Sequence, residues 1–519
     1  MKRRNFLKYT SRLAATAPIL VNGMSVAALP SSSLFAAING DNDRVLVLIQ
    51  LIGGNDGLNT IIPLNQYDKL ANARPHVLLP ESQIIGVTDT IGFHPAMTGI
   101  KSLYDDARLS VIQGVGYPNQ NRSHFRSTDI WNTASESEEV LTTGWLGRNF
   151  QREYPTFPDG YPNEECTDPF AVTMGNAASA TCQGESSNFS IAVTDPFNIS
   201  PLPEGALSTP PATPYGDELD FLRTMIAQSN AYGETVTEAA NLGANLVTYP
   251  NTNLAEQLKN VALLLSGGSK TRVFVCTLGG FDTHANQVVE NETTQGDHAG
   301  LLQTLSDAVA AFQADLSALN LEERVIGMTY SEFGRRIISN AANGTDHGSA
   351  APLMFFGSCI NAGFIGDNAE IPDAPDVQDG VAMQYDFRDV FGSILEDWFE
   401  VAESDIQNMI KPDYQHIPVV NVCDTSVPVR AVIETDVETW ATPNPFHSTT
   451  QIYFTCQNEH VKLSIFDLQG HEIKVLVNNK MQNGAHHVTF DGSELPAGNY
   501  FYRLQLESGV QKSKLMVKI

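Results

Sequence analysis

Short apolar runs alternate with helical patterns along most of this chain. Five apolar runs lie at 44–52, 109–115, 272–278, 324–330 and 352–357. Runs of this length without polar alternation are typical of strands buried on both faces of a parallel sheet. Helical patterns lie at 95–106, 217–242, 254–266, 301–319 and 387–401. This alternation predicts the α/β class, with a doubly wound, mostly parallel sheet that carries helices on both faces.

Three other stretches have a different texture. Residues 150–215 are rich in Pro, Gly, Asn and Ser without periodicity, which predicts a long loop of the kind that often covers an active site. Residues 417–442 are predicted to be a linker. Short strands with alternating apolar residues and frequent turn residues follow over 443–519, and they predict a small β-sandwich.

The N-terminus begins with a basic segment and continues with an uncharged one. Residues 2–8 read K-R-R-N-F-L-K, which resembles the twin-arginine export signal, and the small-residue run at 34–37 is a plausible cleavage site. The resemblance implies that residues 1–36 are a removable signal peptide read by the twin-arginine translocase. The alternative is an uncleaved membrane anchor, but Pro18, Pro30 and the serine run at 31–33 make a poor membrane span.

Charge and cysteine content restrict the class of protein further. The formal net charge is −28; residues 1–36 contribute +5 and residues 440–519 contribute +1, so the middle of the chain carries −34. Such an acidic body is not expected to bind nucleic acid or an anionic bilayer non-specifically. Among the six cysteines, Cys166 and Cys182 could form a bridge, whereas Cys276 and Cys359 lie in apolar runs and are predicted to be buried thiols.

Polar motifs follow the predicted strands. They are G-G-N-D-G-L-N at 53–59, N-R-S-H-F at 121–125, F-D-T-H at 281–284, S-E-F-G-R at 331–335 and G-T-D-H-G at 344–348. The carboxyl ends of parallel strands form the ligand crevice of open α/β sheets, so these side chains are expected to meet there. Carboxylates and neutral imidazoles bind divalent cations such as zinc, calcium or magnesium. The candidate ligands are Asp56, Asp282, His284, Glu332, Asp346 and His347. Two cations about 4 Å apart could hold a phosphate or sulfate group.

Most of these residues also have a structural interpretation. Asp56 could accept hydrogen bonds from the backbone amides of its glycine-rich turn, and Ser123 could cap a helix that begins at residue 124. Two pairs could be simple ion pairs, Asp282 with His284 and Glu332 with Arg335. The Asp-His pair at 346–347, in a glycine-flanked loop, is the hardest to explain structurally.

Residues 44–400 resemble the family of unknown function called DUF1501, which is distantly related to the alkaline phosphatase and sulfatase superfamily. The motifs above carry the resemblance, together with G-W-L-G-R at 144–148 and Y-D-F-R-D-V at 385–390. It implies an alkaline phosphatase-like α/β domain over 37–416. It also implies that Asp56 is a metal ligand, that Ser123 is the nucleophile and that the Asp-His pairs complete one or two metal sites. Arg122 or Asn121 would then orient the anion.

Residues 443–519 resemble the type A C-terminal sorting domain of the type IX secretion system. Four ordered motifs carry this resemblance: P-N-P-F at 443–446, V-K-L-S-I-F-D-L-Q-G at 461–470, L-P-A-G-N-Y-F-Y-R at 495–503 and K-L-M-V-K at 514–518. The resemblance implies contact with the type IX machinery and passage from the periplasm to the cell surface or the extracellular space. The alternative is an ordinary carbohydrate-binding sandwich.

Together these features predict an exported metal-dependent hydrolase that acts on small phosphate or sulfate esters. The alternative is a surface protein of the same fold that binds a glycan or a protein partner without turnover. The presence of both Asp56 and Ser123 favours catalysis, while the lack of a further histidine between His347 and the closing helix favours binding. A purely structural extracellular module would not need polar clusters at strand ends.

Overall fold

The chain divides into two compact units, Met1–Thr425 and Ser426–Ile519. The computed structural model describes residues 43–203, 210–421, 423, 439–456, 458–466, 472–493, 495–496, 498–506 and 511–519. It also describes an antiparallel pair of short strands, Ile19–Val21 and Met24–Val26. The twin-arginine motif and the proposed cleavage site lie outside the described residues.

One mixed sheet organises the first unit. Its strands are β1 Val45–Ile52, β2 Leu109–Gly116, β3 Ala171–Met174, β4 Ser190–Val193, β5 Val273–Gly279, β6 Val325–Tyr330, β7 Ala351–Phe356, β8 Gly363–Ile365 and β9 Tyr385–Asp386. Their order is β8-β2-β7-β6-β1-β5-β3-β4, and β9 also pairs with β2. All pairings are parallel except those of β7 with β6 and β2, so the predicted mostly parallel sheet is confirmed.

Strand β7 corrects one detail of the prediction. Its apolar run at 352–357 was expected to be a parallel-type strand, but β7 runs antiparallel to both neighbours. A parallel neighbour needs a long crossover, usually through a helix, whereas residues 331–350 contain a hairpin and no helix. This hairpin, Arg335–Ser339 with Thr345–His347, is called the site hairpin below.

Helices cover both faces of the sheet, as predicted. They are α1 Gly57–Thr60, α2 Tyr67–Ala73, α3 Thr98–Asp105, α4 His124–Thr133, α5 Trp145–Glu153, α6 Pro214–Leu242, α7 Asn253–Ser266, α8 Asp297–Ala318, α9 Phe387–Asp397 and α10 Glu403–Met409. Alternate residues of β1 enter opposite hydrophobic clusters: Leu46 and Leu48 pack with α4, α5 and α9, while Val45 and Val47 pack with α3, α7 and α8. In the part of the chain that the structure describes, no helix is both long and apolar enough to cross a bilayer.

A small three-stranded sheet and several single helical turns complete the first unit. The sheet contains Ile61–Pro63, Ile85–Gly86 and Ile91–Phe93. The single turns are Leu64–Gln66, Glu81–Gln83, Ala180–Cys182 and Glu322–Arg324.

The second unit contains two antiparallel sheets around one core, which confirms the predicted small β-sandwich. One sheet has the strands Thr439–Thr442, Thr449–Cys456 and Gly484–Asp491; the other has Glu459–Phe466, Glu472–Met481, Gly498–Leu506 and Gln511–Lys518. Ile452 and Phe454 from the first sheet join Val461 and Leu463 from the second in a single buried cluster. Part of the sorting motif, residues 467–470, lies outside the described residues.

The prediction of a long loop over 150–215 is wrong in part. Strands β3 and β4 arise from this segment and extend the central sheet beyond β5. They are four residues each, too short to show a period in the sequence. Phe157 stacks on Phe189 with ring centroids 4.1 Å apart, and both belong to the core beneath the sheet. The segment therefore builds the fold.

The exit of the first unit is closed by a disulfide between Cys359 and Cys423. This corrects the prediction of a free thiol at Cys359; Cys166 and Cys182, which could have formed a bridge, form no disulfide. Residues 417–421 lie against the segment after β7, and Val419 is fully buried. Residues 417–421 thus belong to the α/β unit, and the linker predicted to begin at 417 begins later. Most of that predicted linker, 424–438, lies outside the described residues.

The disulfide predicts a defined thiol count and a stability difference. Thiol titration of the denatured, unreduced protein should find four free cysteines, and six after reduction. Cys423→Ser should lower the free energy of unfolding by about 4 kcal/mol, because the bond closes a 64-residue loop. Cys166→Ser serves as the control, with a change within about 1 kcal/mol. Six thiols before reduction would contradict the assignment.

Candidate metal centre

The candidate centre lies where strands β2, β5 and β6 deliver the chain to one edge of the sheet. Six side chains meet there: His124 at the start of α4, Asp282 and His284 after β5, Glu332 after β6, and Asp346 and His347 on the site hairpin. They meet because parallel strands end at a common edge, from which the connecting loops turn toward one crevice.

Gly53 permits the closest backbone approach in this region. It follows β1 with a φ of +122°, and a Cβ atom on it would lie 2.3 Å from the backbone nitrogen of Asp282. Its amide donates a hydrogen bond of 2.9 Å to Glu332 Oε1. A side chain at this position would therefore push the loop after β1 away from the loop that carries Asp282.

Asp282 is the centre of the cluster. Its Oδ1 lies 3.2 Å from the Nε2 atoms of both His284 and His347, and 3.5 Å from Nε2 of His124. Arg335 donates to the same oxygen at 2.8 Å. Partial burial opposes ionisation of Asp282, but the hydrogen bond and the positive charge of Arg335 outweigh it and lower its pKa to about 2. The carboxylate is therefore ionised at neutral pH.

Each of the three imidazoles is anchored through its other nitrogen, Nδ1. The anchors, all at 2.8 Å, are Glu332 Oε1 for His124, Asp346 Oδ1 for His284 and the backbone oxygen of Arg122 for His347. A carbonyl or a carboxylate can only accept, so Nδ1 carries the proton in every case. In the neutral form of each ring, Nε2 then presents a lone pair toward Asp282.

This arrangement has an excess of acceptors. The Nε2 atoms of His284 and His347 face each other at 2.8 Å, and with both rings neutral they have no proton to share. Burial lowers the pKa of His347, which disfavours an added proton there. Among the described residues, Nε2 of His124 is shielded from solvent and has no hydrogen-bond partner. A divalent cation between these atoms would satisfy them all.

The donor set fits such a cation. His124, Asp282 and His347 each offer one ligand atom, and these atoms all lie within 4.8 Å of one another. Histidines that bind metals usually donate their second ring N–H to a carboxylate or a backbone carbonyl, and His124, His284 and His347 all do so here. Nitrogen and carboxylate oxygen are ligands of zinc in particular. Glu332 and Asp346, predicted as ligands, instead hold the imidazoles in orientation.

Asp56 corrects the predicted ligand set, because its carboxylate contacts Arg74 and Gln287 and is not part of the group that could hold a cation. Its carboxylate is buried in an ion pair with Arg74 and also accepts from Gln287. Burial opposes ionisation of Asp56, but Arg74, His298 and Gln287 together lower its pKa. Gln287 in turn accepts from Thr283 and Thr345, which flank the ligand-bearing positions. Gln287 thus connects Asp56 to the segments that carry Asp282 and Asp346.

The segment 121–123 lies beside the cluster. Ser123 is exposed at the residue before α4, and its backbone amide donates 2.9 Å to Asn121 Oδ1, so the asparagine orients the turn. Its hydroxyl makes no capping hydrogen bond. The Arg122 guanidinium donates to the backbone oxygen of Gln378 at 2.8 Å. The predicted roles of Ser123 as the nucleophile and of Asn121 and Arg122 in orienting the anion stay predictions.

Sequence reasoning missed two important residues. His124 belongs to the N-R-S-H-F motif at 121–125, in which the sequence predicts a role for Ser123 instead. The signal that indicates His124 is its position at the start of the helix that follows β2. Arg335 was expected to pair with Glu332, yet it bonds Asp282 and the backbone. The sequence does not show that its guanidinium is buried.

A cleft opens beside the cluster. Its volume is about 440 Å³, and it is lined by Ile52, Gly53, His124, Phe125, Thr128, Gly280, Asp282 and Glu332. None of these residues comes from the described part of 150–215, so no described residue of that predicted cover lines the cleft. The cluster is therefore open to a small ligand from one side.

Comparison with known proteins gives two domain assignments. Residues 230–398 match the family described as protein of unknown function (DUF1501), and residues 442–518 match the secretion system C-terminal sorting domain. The protein contains a DUF1501 domain. The motifs at 281–284, 331–335 and 344–348 lie within the first match, while those at 53–59 and 121–125 precede it. The sorting domain indicates use of the type IX secretion machinery and export to the cell surface or the extracellular space.

Solved structures show only distant similarity. A protein in the alkaline phosphatase superfamily from Vibrio parahaemolyticus is 9% identical, with a TM-score of 0.32 over 92% of this chain and 83% of that chain. The PsFucS1 sulfatase from Pseudoalteromonas sp. is 9% identical, with a TM-score of 0.32 over 92% of this chain and 91% of that chain. A phosphonate monoester hydrolase from Silicibacter pomeroyi is 8% identical, with a TM-score of 0.30 over 92% of this chain and 89% of that chain. Among curated proteins, none matches. Such values do not assign a reaction to this chain.

The buried pair of Asp56 and Arg74 predicts a large effect on stability. Asp56→Asn should lower the free energy of unfolding by about 3–5 kcal/mol, since it leaves a buried guanidinium without its counter-charge. Asp105→Asn is the matched control: Asp105 is half exposed and pairs with Lys101, so its loss should cost less than about 1 kcal/mol. Chemical denaturation of both variants measures the difference; equal effects would contradict it.

His298 predicts a pH dependence of stability. Burial lowers its folded-state pKa from 6.5 to about 4. Between these values the unfolded chain binds a proton that the folded chain does not, so stability falls as the pH falls. From pH 7 to pH 5 this residue should contribute a loss of about 2 kcal/mol. His298→Gln should remove that part of the slope in denaturation curves. An unchanged slope would show that the ring is already charged in the folded protein.

Proposed function

We propose that the protein is an exported metal-dependent hydrolase of phosphate or sulfate esters, with one divalent-cation centre built from His124, Asp282, His284 and His347. The observation that carries this proposal is the set of three anchored imidazoles whose Nε2 lone pairs converge on the Asp282 carboxylate. A bound divalent cation would supply charge for an anionic substrate and polarise its ester oxygens.

Ser123 is the proposed nucleophile. It is exposed beside the cluster and precedes α4, whose N-terminus favours negative charge. In the proposed step its Oγ bonds to phosphorus or sulfur, the alcohol leaves with the serine proton, and water later releases the acid. Arg122, held by Gln378, and Asn121, which orients the turn, would position the anion.

One observation favours the alternative, a surface protein that binds without turnover. Three imidazoles and one carboxylate are enough to fill a tetrahedral shell, and closed shells are typical of structural zinc sites. In that case the same centre would stabilise the loops around the cleft, and the cleft would bind a glycan or a protein partner.

Export is proposed to follow two steps. Residues 1–36 would direct the chain through the twin-arginine translocase into the periplasm and would then be removed, as the paired Arg3 and Arg4 suggest. Residues 443–519 would then direct the α/β domain, beginning at residue 37, through the outer membrane.

The metal assignment predicts which variants lose the ion. Purified protein should contain about one divalent cation per chain by elemental analysis. Asp282→Asn and His347→Asn should each weaken its binding by at least about tenfold, because each removes one ligand. His416→Asn is the control: this histidine pairs with Asp397 after the closing helix and should have no effect. Retention of the ion by both ligand variants would contradict the proposal.

The nucleophile assignment is tested separately. Ser123→Ala should keep the cation but lose at least about a hundredfold in turnover of 4-nitrophenyl phosphate or sulfate, since it removes the attacking oxygen only. If metal-loaded wild-type protein hydrolyses neither ester, the binding alternative holds. If the variant turns over like wild type, the nucleophile lies elsewhere.

A further inference from the structure

One wall of the cleft beside the metal centre is apolar. Ile52, the last residue of β1, is 41% exposed, and Phe125, the second residue of α4, is 90% exposed. Both line the same cleft as His124, Asp282 and Glu332. A large aromatic side chain is thus presented to solvent directly beside the proposed ligands.

The other flank of the cluster is cationic. Arg336 lies 3.4 Å from Asp346 Oδ2 and donates to the backbone oxygen of His347. Arg122 accepts from His347 through its own backbone oxygen. Neither arginine lines the cleft. The site therefore offers charge on the side of His347 and apolar surface on the side of His124.

We propose that Ile52 and Phe125 form a subsite for a flat ring carried by the anionic ester, either an aryl group or the apolar face of a sugar. The proposal rests on the proposed function, because the anionic group must sit at the metal centre for the ring to reach this wall. The subsite and the metal centre are continuous, because the apolar wall and three site residues line one cleft of about 440 Å³. A cleft of this size suits a small ligand, so the ring and the anionic group are expected to belong to the same molecule.

The chemistry of the wall explains why a ring is favoured. Phe125 and Ile52 carry no polar side-chain atoms, so they select by apolar contact and shape. A phenyl ring stacks on another ring, or on the C–H face of a pyranose, with more contact than on an open alkyl chain. The loss of this contact should weaken binding of a ring-bearing ligand about five- to thirtyfold.

Calorimetric binding to the metal-loaded full-length protein tests this proposal without turnover. The probes are phenylphosphonate, glucose 1-phosphate and methylphosphonate, which share an anionic head and differ in the group attached to it. The variants are Phe125→Ala, Phe125→Trp and the control Val140→Ala, whose side chain is 74% exposed and does not line the cleft. Because Phe125 is almost fully exposed, its replacement should not affect folding.

The expected result is that Phe125→Ala weakens a ring-bearing probe about five- to thirtyfold and changes methylphosphonate by less than about twofold. Phe125→Trp should keep the preference, and Val140→Ala should behave as wild type. Weaker binding of phenylphosphonate identifies an aryl group as the ring, and weaker binding of glucose 1-phosphate identifies a sugar. Equal binding of ring-bearing and methyl probes by wild type, or equal weakening of all three, overturns the subsite alone. Failure of every probe to bind overturns the anion site of the proposed function, and this subsite with it.

Discussion

The structure of the site depends on one buried guanidinium, that of Arg335. Its side chain is fully buried and donates to the backbone oxygens of Gly53, Gly54, Phe281 and Thr345 and to the carboxylate of Asp282. These acceptors come from the ends of β1 and β5 and from the site hairpin. A buried charge is costly unless it is paired and fully hydrogen-bonded, and here five acceptors surround it. The interaction therefore fixes three chain segments relative to one another and holds Asp282 ionised.

A second buried arginine–aspartate pair supports the same segments. Asp56 and Arg74 neutralise each other away from solvent, and Gln287 links Asp56 to Thr283 and Thr345. Thr283 lies between Asp282 and His284, and Thr345 precedes Asp346, which anchors His284. The orientation of the imidazoles thus depends on two arginine–aspartate pairs in which neither arginine is a proposed ligand, which is how preorganised sites are usually supported.

The sequence predicted the architecture well because apolar runs and their spacing record burial directly. All five predicted strands and all five predicted helices are present, and the strand-end motifs do meet at one edge. The sequence does not show that Asp56 and Asp282 have different roles, because each follows a strand and a pair of glycines. The difference lies in Arg74, eighteen residues after Asp56, whose position only the folded chain reveals. The pairing of Cys359 with Cys423 was hidden for the same reason.

The charges of the site explain why a cation would matter for an anionic substrate. The body of the protein carries −34, which repels anions at long range, although salt limits this effect to about 10 Å. Near the cluster, the charges of Arg122, Arg335 and Arg336 only balance those of Asp282, Glu332 and Asp346. Imidazoles that bind a cation are neutral and add no charge. The protein alone thus offers an anion no net attraction, and two added positive charges would reverse this locally. Binding of a divalent cation and binding of an anionic ester should therefore be coupled in this fold.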